Sequence, residues 1–212
     1  MSPRDSPSQS VMPPLVLVGC GILRKEVNAL IAQNGWQLET QYLDSALHNN
    51  LDRLSSKLQT ALEAQESAGR DTLVLYGACH PLMDAILERH ATLRTCGQNC
   101  IVQLISHDLF TEELEKGAYF LLEDWALNWA HMITAAFGNN REVVREIFHS
   151  SHNYMIAIRT PCSGDFAAAA EAAAKFVDLP LRWMEADLGH LESILAETLA
   201  RKRPQLADEP HD

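Results

Sequence analysis

Short apolar, β-favouring runs alternate with helical apolar spacing along most of this chain, and that alternation restricts the fold more than any other feature. The runs are Leu15 to Val18, Trp36 to Leu43, Thr72 to Tyr76, Ile101 to Ile105, Ala118 to Leu122, Tyr154 to Arg159 and Leu181 to Glu185. Helical spacing fills the gaps: Arg24 to Gln33, Leu51 to Ser67, Leu82 to Leu93, Thr111 to Lys116, Ala126 to Phe137, Arg141 to Phe148, Ala167 to Phe176 and Leu188 to Leu199. The clearest is Leu51 to Ser67, where Leu51, Leu54, Leu58, Ala61 and Leu62 share one stripe. Strand and helix in turn predict βαβ units, and hence an α/β fold with a mostly parallel sheet and helices on both faces. A chain of 212 residues, 47% hydrophobic, has room for one large domain or two Rossmann-like lobes. Residues 1–13 read as a disordered Ser- and Pro-rich lead, 14–200 as the α/β domain with a lobe boundary near 138–152, and 201–212 as a polar tail.

Parallel strands put their carboxyl ends on one edge, where ligands of open α/β sheets bind. Three runs end in residues that carry chemistry. Leu15 to Val18 leads into Gly19-Cys20-Gly21, Thr72 to Tyr76 into Gly77-Ala78-Cys79-His80-Pro81, and Ile101 to Ile105 into Ser106-His107-Asp108. Two thiols and one imidazole, from Cys20, Cys79 and His107, would suit zinc or another borderline-soft divalent ion. Gly19, Gly21 and Gly77 would let the backbone approach a ligand closely. His80 fits a second ligand, a base or a simple cap. Asp108 and Glu123 offer proton transfer, and Tyr119 and Trp125 offer walls for a cleft.

Each residue also has a plainer reading. Free cysteine is among the most buried residue types, Tyr119 and Trp125 serve equally as core, and Glu123 as a charge at a helix start. Cys96 and Cys100 lie before the fourth run, at the end of the sheet opposite the other thiols, so they are expected to stay outside the site. Cys162 follows the sixth run and is better placed. Val-Gly-Cys-Gly lacks the further spaced glycine of a phosphate cradle, and no Gly-x-Ser-x-Gly elbow is present.

A net charge of −11 argues against nucleic acid or an anionic membrane as partner. No run approaches the 18 or so apolar residues of a membrane span, and the lead lacks the apolar segment of a signal peptide. A cytoplasmic setting follows as the expectation. There the five cysteines stay reduced, and metal or catalytic use is favoured over a disulfide framework. A homo-oligomer is left open.

Gly19-Cys20-Gly21-Ile22-Leu23, Tyr76-Gly77-Ala78-Cys79, His107-Asp108 and Gly117 to Trp125 occur in this order. Together they resemble an uncharacterised prokaryotic family, the domain-of-unknown-function family 1638, over roughly Leu15 to Leu199. Leu109 stands where that family's pattern has a third cysteine, and Glu123 and Asp124 replace a small residue and a glycine. The resemblance implies an α/β fold and a shared Cys/Cys/His site. It also implies a setting in one-carbon or corrinoid metabolism, because genes of the family accompany corrinoid methyltransferase systems.

The leading expectation is a metal-dependent enzyme acting on a small molecule. Cys20, Cys79 and His107 would hold zinc, or else iron, nickel or a corrinoid cobalt, with Asp108, Glu123 or His80 handling protons. The alternatives are a non-catalytic metal, corrinoid or small-ligand binding protein, and a metal-free thiol enzyme using Cys79.

Overall fold

The computed structural model describes residues 15–207. The expected lead at 1–13 and the last part of the expected tail lie outside the described residues. In chain order the elements are β1 (Leu15–Cys20), α1 (Arg24–Asn34), β2 (Leu38–Leu43), α2 (Leu51–Ser67), β3 (Thr72–Leu75), α3 (Met83–Arg89) and β4 (Leu93–Arg94). They continue with α4 (Cys100–Ile105), α5 (His107–Glu115), β5 (Ala118–Leu121), α6 (Glu123–Leu127), α7 (Trp129–Phe137) and α8 (Arg141–Ser151). The chain then runs through β6 (Tyr154–Arg159), α9 (Ala167–Val177), β7 (Leu181–Glu185) and α10 (Gly189–Ala207).

The first four strands form one sheet in the order β2-β1-β3-β4, and the last three another in the order β5-β6-β7. Every pairing is parallel. The predicted parallel α/β architecture is present, as two sheets. Strand alternation sets the layers. Leu15 and Leu17 of β1 pack with Val27 and Leu30 of α1 and Leu191 and Leu195 of α10. Val16 and Val18 face the other way, onto Leu54, Leu58 and Leu62 of α2. In the second sheet Leu121, Met155 and Ala157 pack under Phe148 of α8 and the alanine run of α9, whose small side chains permit close approach.

The core around Leu15 and Leu17 also contains Phe120, Ile156 and Ile158 of the second sheet. Burying each such side chain is worth about 1.5–3 kcal/mol, so the two sheets hold together through shared apolar contacts. The chain changes sheet between Arg94 and Ala118, earlier than the expected 138–152. Gly138 ends a helix there but not a core, since Val144 and Phe148 of α8 remain packed on the second sheet.

Ile101 to Ile105, expected as a strand, is helix α4. Asn99 caps it, its side-chain oxygen accepting from the Val102 N–H at 2.9 Å. Ile101 to Ile105 are all buried, including Gln103, whose amide donates to Thr95 Oγ1 and to the Cys96 carbonyl. A short helix buried on every side has no polar stripe, and so it reads like a buried strand. At the other end of the chain, α10 runs through residues 201–207, which composition had assigned to a tail. Buried Lys202 anchors it, with Nζ 3.0 Å from the Asp71 carboxylate beside β3.

Candidate functional site

Within the first sheet the strand order reverses. The chain leaves β1 for β2 on one side and then crosses to β3 on the other, with α1 and α2 on opposite faces. A crevice opens outside the carboxyl ends of strands at such a point. Here it holds a cavity of about 260 Å³ lined by Cys20, Cys79 and Cys100, with His48, Tyr76 and Trp125 around them.

Local sequence explains how the thiols arrive. Cys20 is the last residue of β1, and Cys79 follows the break after β3. A Cβ on Gly77 would lie 2.3 Å from the Gln98 carbonyl oxygen, and the Ala78 N–H donates to that same oxygen at 2.8 Å. Glycine is thus required for the loop before α4 to close on the loop after β3, and this contact delivers Cys100 to the cavity. Gly19 has a different task from the one expected. A Cβ there would meet Leu75 Cβ at 2.8 Å, so its lack of a side chain serves the packing of β1 on β3. Gly21 lines the neighbouring cavity.

The surroundings hold all three thiols protonated. Burial pushes Cys20 up to about 12; the Ile22 backbone N–H opposes this, and Cys79, Asp124 and Asp44 reinforce it. Burial, then Cys20 and Cys79, push Cys100 up. Cys79 is also raised by burial, but a backbone hydrogen bond at Gly77 and the Arg94 guanidinium pull it back. Cys79 is therefore the thiol of the three with a cation favouring its ionised form.

Polar groups frame the thiols. Ser45 donates to the Asp124 carboxylate, joining the turn after β2 to α6. His48 Nδ1 lies 2.5 Å from the Ser45 carbonyl oxygen, and its ring packs against Trp125 with centroids 5.4 Å apart. A carbonyl only accepts, so Nδ1 is the donor in this contact.

Of the residues expected from sequence, Cys20, Cys79, Gly77 and Trp125 line this cavity. His107 does not. Ser106 takes a left-handed φ of 80° and turns the chain abruptly into α5, leaving the His107 side chain 68% exposed beside a fully exposed Asp108. The expected roles of His107 as ligand and Asp108 as base therefore have no site to act in. His80 accepts from the Leu82 N–H through Nδ1 at 3.0 Å in the turn ahead of α3, whose N-cap is Leu82 and has no side-chain cap, and it lines a different depression. Tyr119 sits in an aromatic cluster with Trp129, Phe148 and His152 in the second sheet's core, where burial pushes it up to about 12.

Glu123 lines a smaller neighbouring cavity of about 110 Å³ and is clamped there. Lys25 Nζ reaches both its oxygens at 2.8 Å, and the Gly164 N–H donates to it. Cys162 is raised by burial and then by Glu26, with Lys25 opposing, and does not line the thiol cavity. Among the described residues, no group of three or more His, Cys, Asp or Glu side chains is placed to hold a metal ion. The Cys20, Cys79 and His107 trio is thus not assembled.

Cys100, His48 and Tyr76 are the cavity residues that sequence reasoning missed. Asn99 before an apolar run was the available signal for a helix starting at Cys100. For His48, the signal was its place just beyond the carboxyl end of β2.

Fold and site together define a parallel α/β protein with a thiol-lined crevice at the point of strand reversal. The family model described as "Protein of unknown function (DUF1638)" matches residues 42–195, well over half of the chain, and the chain belongs to that family. Cys79, Cys100 and Trp125 fall inside the matched stretch, and Cys20 before it. No curated protein and no solved structure matches the chain. No helix among the described residues is long and apolar enough to cross a membrane.

Proposed function

We propose that the protein is a thiol enzyme acting on a small electrophilic molecule in the 260 Å³ cavity, with Cys79 as nucleophile. The observation that carries this reading is the convergence of Cys20, Cys79 and Cys100 on one cavity at the strand reversal. Cys79 takes the leading role because Arg94 lies near enough to favour its thiolate. Burial holds all three as thiols at neutral pH, and Cys20 and Cys100, without a cation to oppose it, serve as soft, weakly polar walls.

A second reading is non-catalytic binding of a thiophilic cation, such as zinc or a corrinoid cobalt. One observation favours it: the carboxylates of Asp44 and Asp124, which disfavour an anion at Cys20, would welcome a cation. The one-carbon setting attaches to this reading through family resemblance alone.

Timed alkylation with iodoacetamide at pH 8, mapped by mass spectrometry, tests the proposal. A Cys96→Ser background removes the exposed surface thiol. Cys79 is expected to react about tenfold faster than Cys20 or more, given that reactivity follows the thiolate fraction. Equal rates at Cys79 and Cys20 would overturn it. One equivalent of tightly held zinc, lost in both Cys20→Ala and Cys79→Ala, would replace it with the second reading.

A further inference from the structure

The thiol cavity has a second peculiarity. Five buried side-chain atoms among the described residues have no hydrogen-bond partner, and two of them, the Tyr76 hydroxyl and Trp125 Nε1, belong to residues lining this cavity. Tyr76 is 3% exposed. Leaving a buried donor unpaired costs about 1–3 kcal/mol, and native proteins rarely tolerate it without a purpose. An indole N–H can only donate. Burial, with Cys20, Cys79 and Asp44, raises the Tyr76 phenol well above its ordinary range, so it also stays protonated and donates. Neither donor is paired with any of the acceptors that line the cavity, Asp44 and Gln103 among them, and an acceptor atom carried by a ligand would complete both.

Three kinds of group then line one cavity: two donors wanting an acceptor, the Cys79 thiol, and an imidazole whose Nδ1 is engaged by the Ser45 carbonyl. We infer that the ligand carries a carbonyl group, whose oxygen accepts from Tyr76 and Trp125 and whose carbon is attacked by the Cys79 sulfur. This rests on the thiol reading of the cavity and names its substrate class: a compact, largely apolar aldehyde or ketone. In the step, the S–C bond forms and the carbonyl π pair moves onto oxygen. The thiol proton passes to His48 Nε2 and is returned to that oxygen. The product is a neutral hemithioacetal, and neither oxidant nor reductant takes part. His48 is suited to the transfer because the Ser45 carbonyl fixes its tautomer.

The test uses hydrocinnamaldehyde labelled with carbon-13 at its carbonyl, and hydrocinnamyl alcohol as the control, with full-length protein. The aldehyde is expected to convert the labelled carbonyl resonance to that of a tetrahedral carbon, and to slow Cys79 alkylation. Both effects should vanish in Cys79→Ser. Tyr76→Phe should weaken aldehyde binding about fivefold to tenfold, the worth of one buried hydrogen bond, while leaving the free protein as stable as before or more so. A purely structural tyrosine would show the reverse: lost stability and unchanged affinity. Should aldehyde and alcohol protect Cys79 equally, the carbonyl assignment falls and the thiol reading stands. Should neither bind and Cys79 alkylate no faster than Cys20, both fall together.

Discussion

The two sheets run their strands the same way yet end in opposite chemistry. At the carboxyl edge of the first sheet, β1 and β3 part at the strand reversal, and the gap carries three thiols and two unpaired donors. At the corresponding edge of the second, β5, β6 and β7 follow in simple order, and two carboxylates there are paired. Glu123 is clamped by Lys25 and Gly164, and buried Glu26 accepts from Thr160 Oγ1 at 2.7 Å. Strand direction alone does not make a site. The reversal opens the space, and the strand ends on either side of it supply the thiols that line it.

The sharpest challenge to this contrast compares two glycines. Gly77→Ala drives a Cβ into the Gln98 backbone, which cannot yield without moving α4, so a loss of about 3 kcal/mol in urea unfolding is expected. Gly164→Ala meets only the flexible end of Glu123 and should lose less than about 1 kcal/mol. Similar losses at both positions would contradict the view that the first edge is built on rigid backbone closure and the second on side chains.

Next in size is Thr160→Val, which withdraws a donor from buried Glu26 and should lower unfolding stability by about 2 kcal/mol. A neutral outcome would mean that water replaces the threonine and that the second edge is less closed than described.

A pH experiment isolates the first edge. Cys20 is raised from an ordinary 9.0 to about 12, so the unfolded chain ionises first as pH rises. Its contribution is fully present below pH 9 and is lost progressively between pH 9 and 12, by about 1 kcal/mol from pH 9 to 10. Stability curves of the parent and Cys20→Ala should therefore converge over that interval, and parallel curves would place Cys20 in a less buried setting. The smallest effect belongs to His107→Ala. It should change stability by under about 0.5 kcal/mol and leave Cys79 alkylation untouched, because the ring is exposed and does not line the thiol cavity. A slowed Cys79 would restore His107 to the site.

Much of this architecture was readable in advance. β1, β3, β5 and β6 are parallel strands with largely buried side chains, so they appear as continuous apolar runs bounded by breakers. Cys20 and Cys79 followed from the rule that strand ends share an edge. The same rule failed at Ile101 to Ile105, because a five-residue apolar run has too few residues to show whether its period is 2 or 3.6. That one substitution of helix for strand displaced two conclusions, promoting His107 and dismissing Cys100. The pairing state of Tyr76 and Trp125 had no trace in the sequence, since an unpaired hydroxyl is a property of neighbours that only the folded chain brings together.

The ion pair of Lys202 with Asp71 has a practical side. Asp71 directly precedes β3, whose far end leads to Cys79, so the last turns of α10 brace the very strand that presents this thiol. Trimming the protein at residue 200, as its hydrophilic ending invites, would leave that strand unsupported. Loss of reactivity in such a shortened form would be an injury to the scaffold, since no residue of α10 lines the thiol cavity.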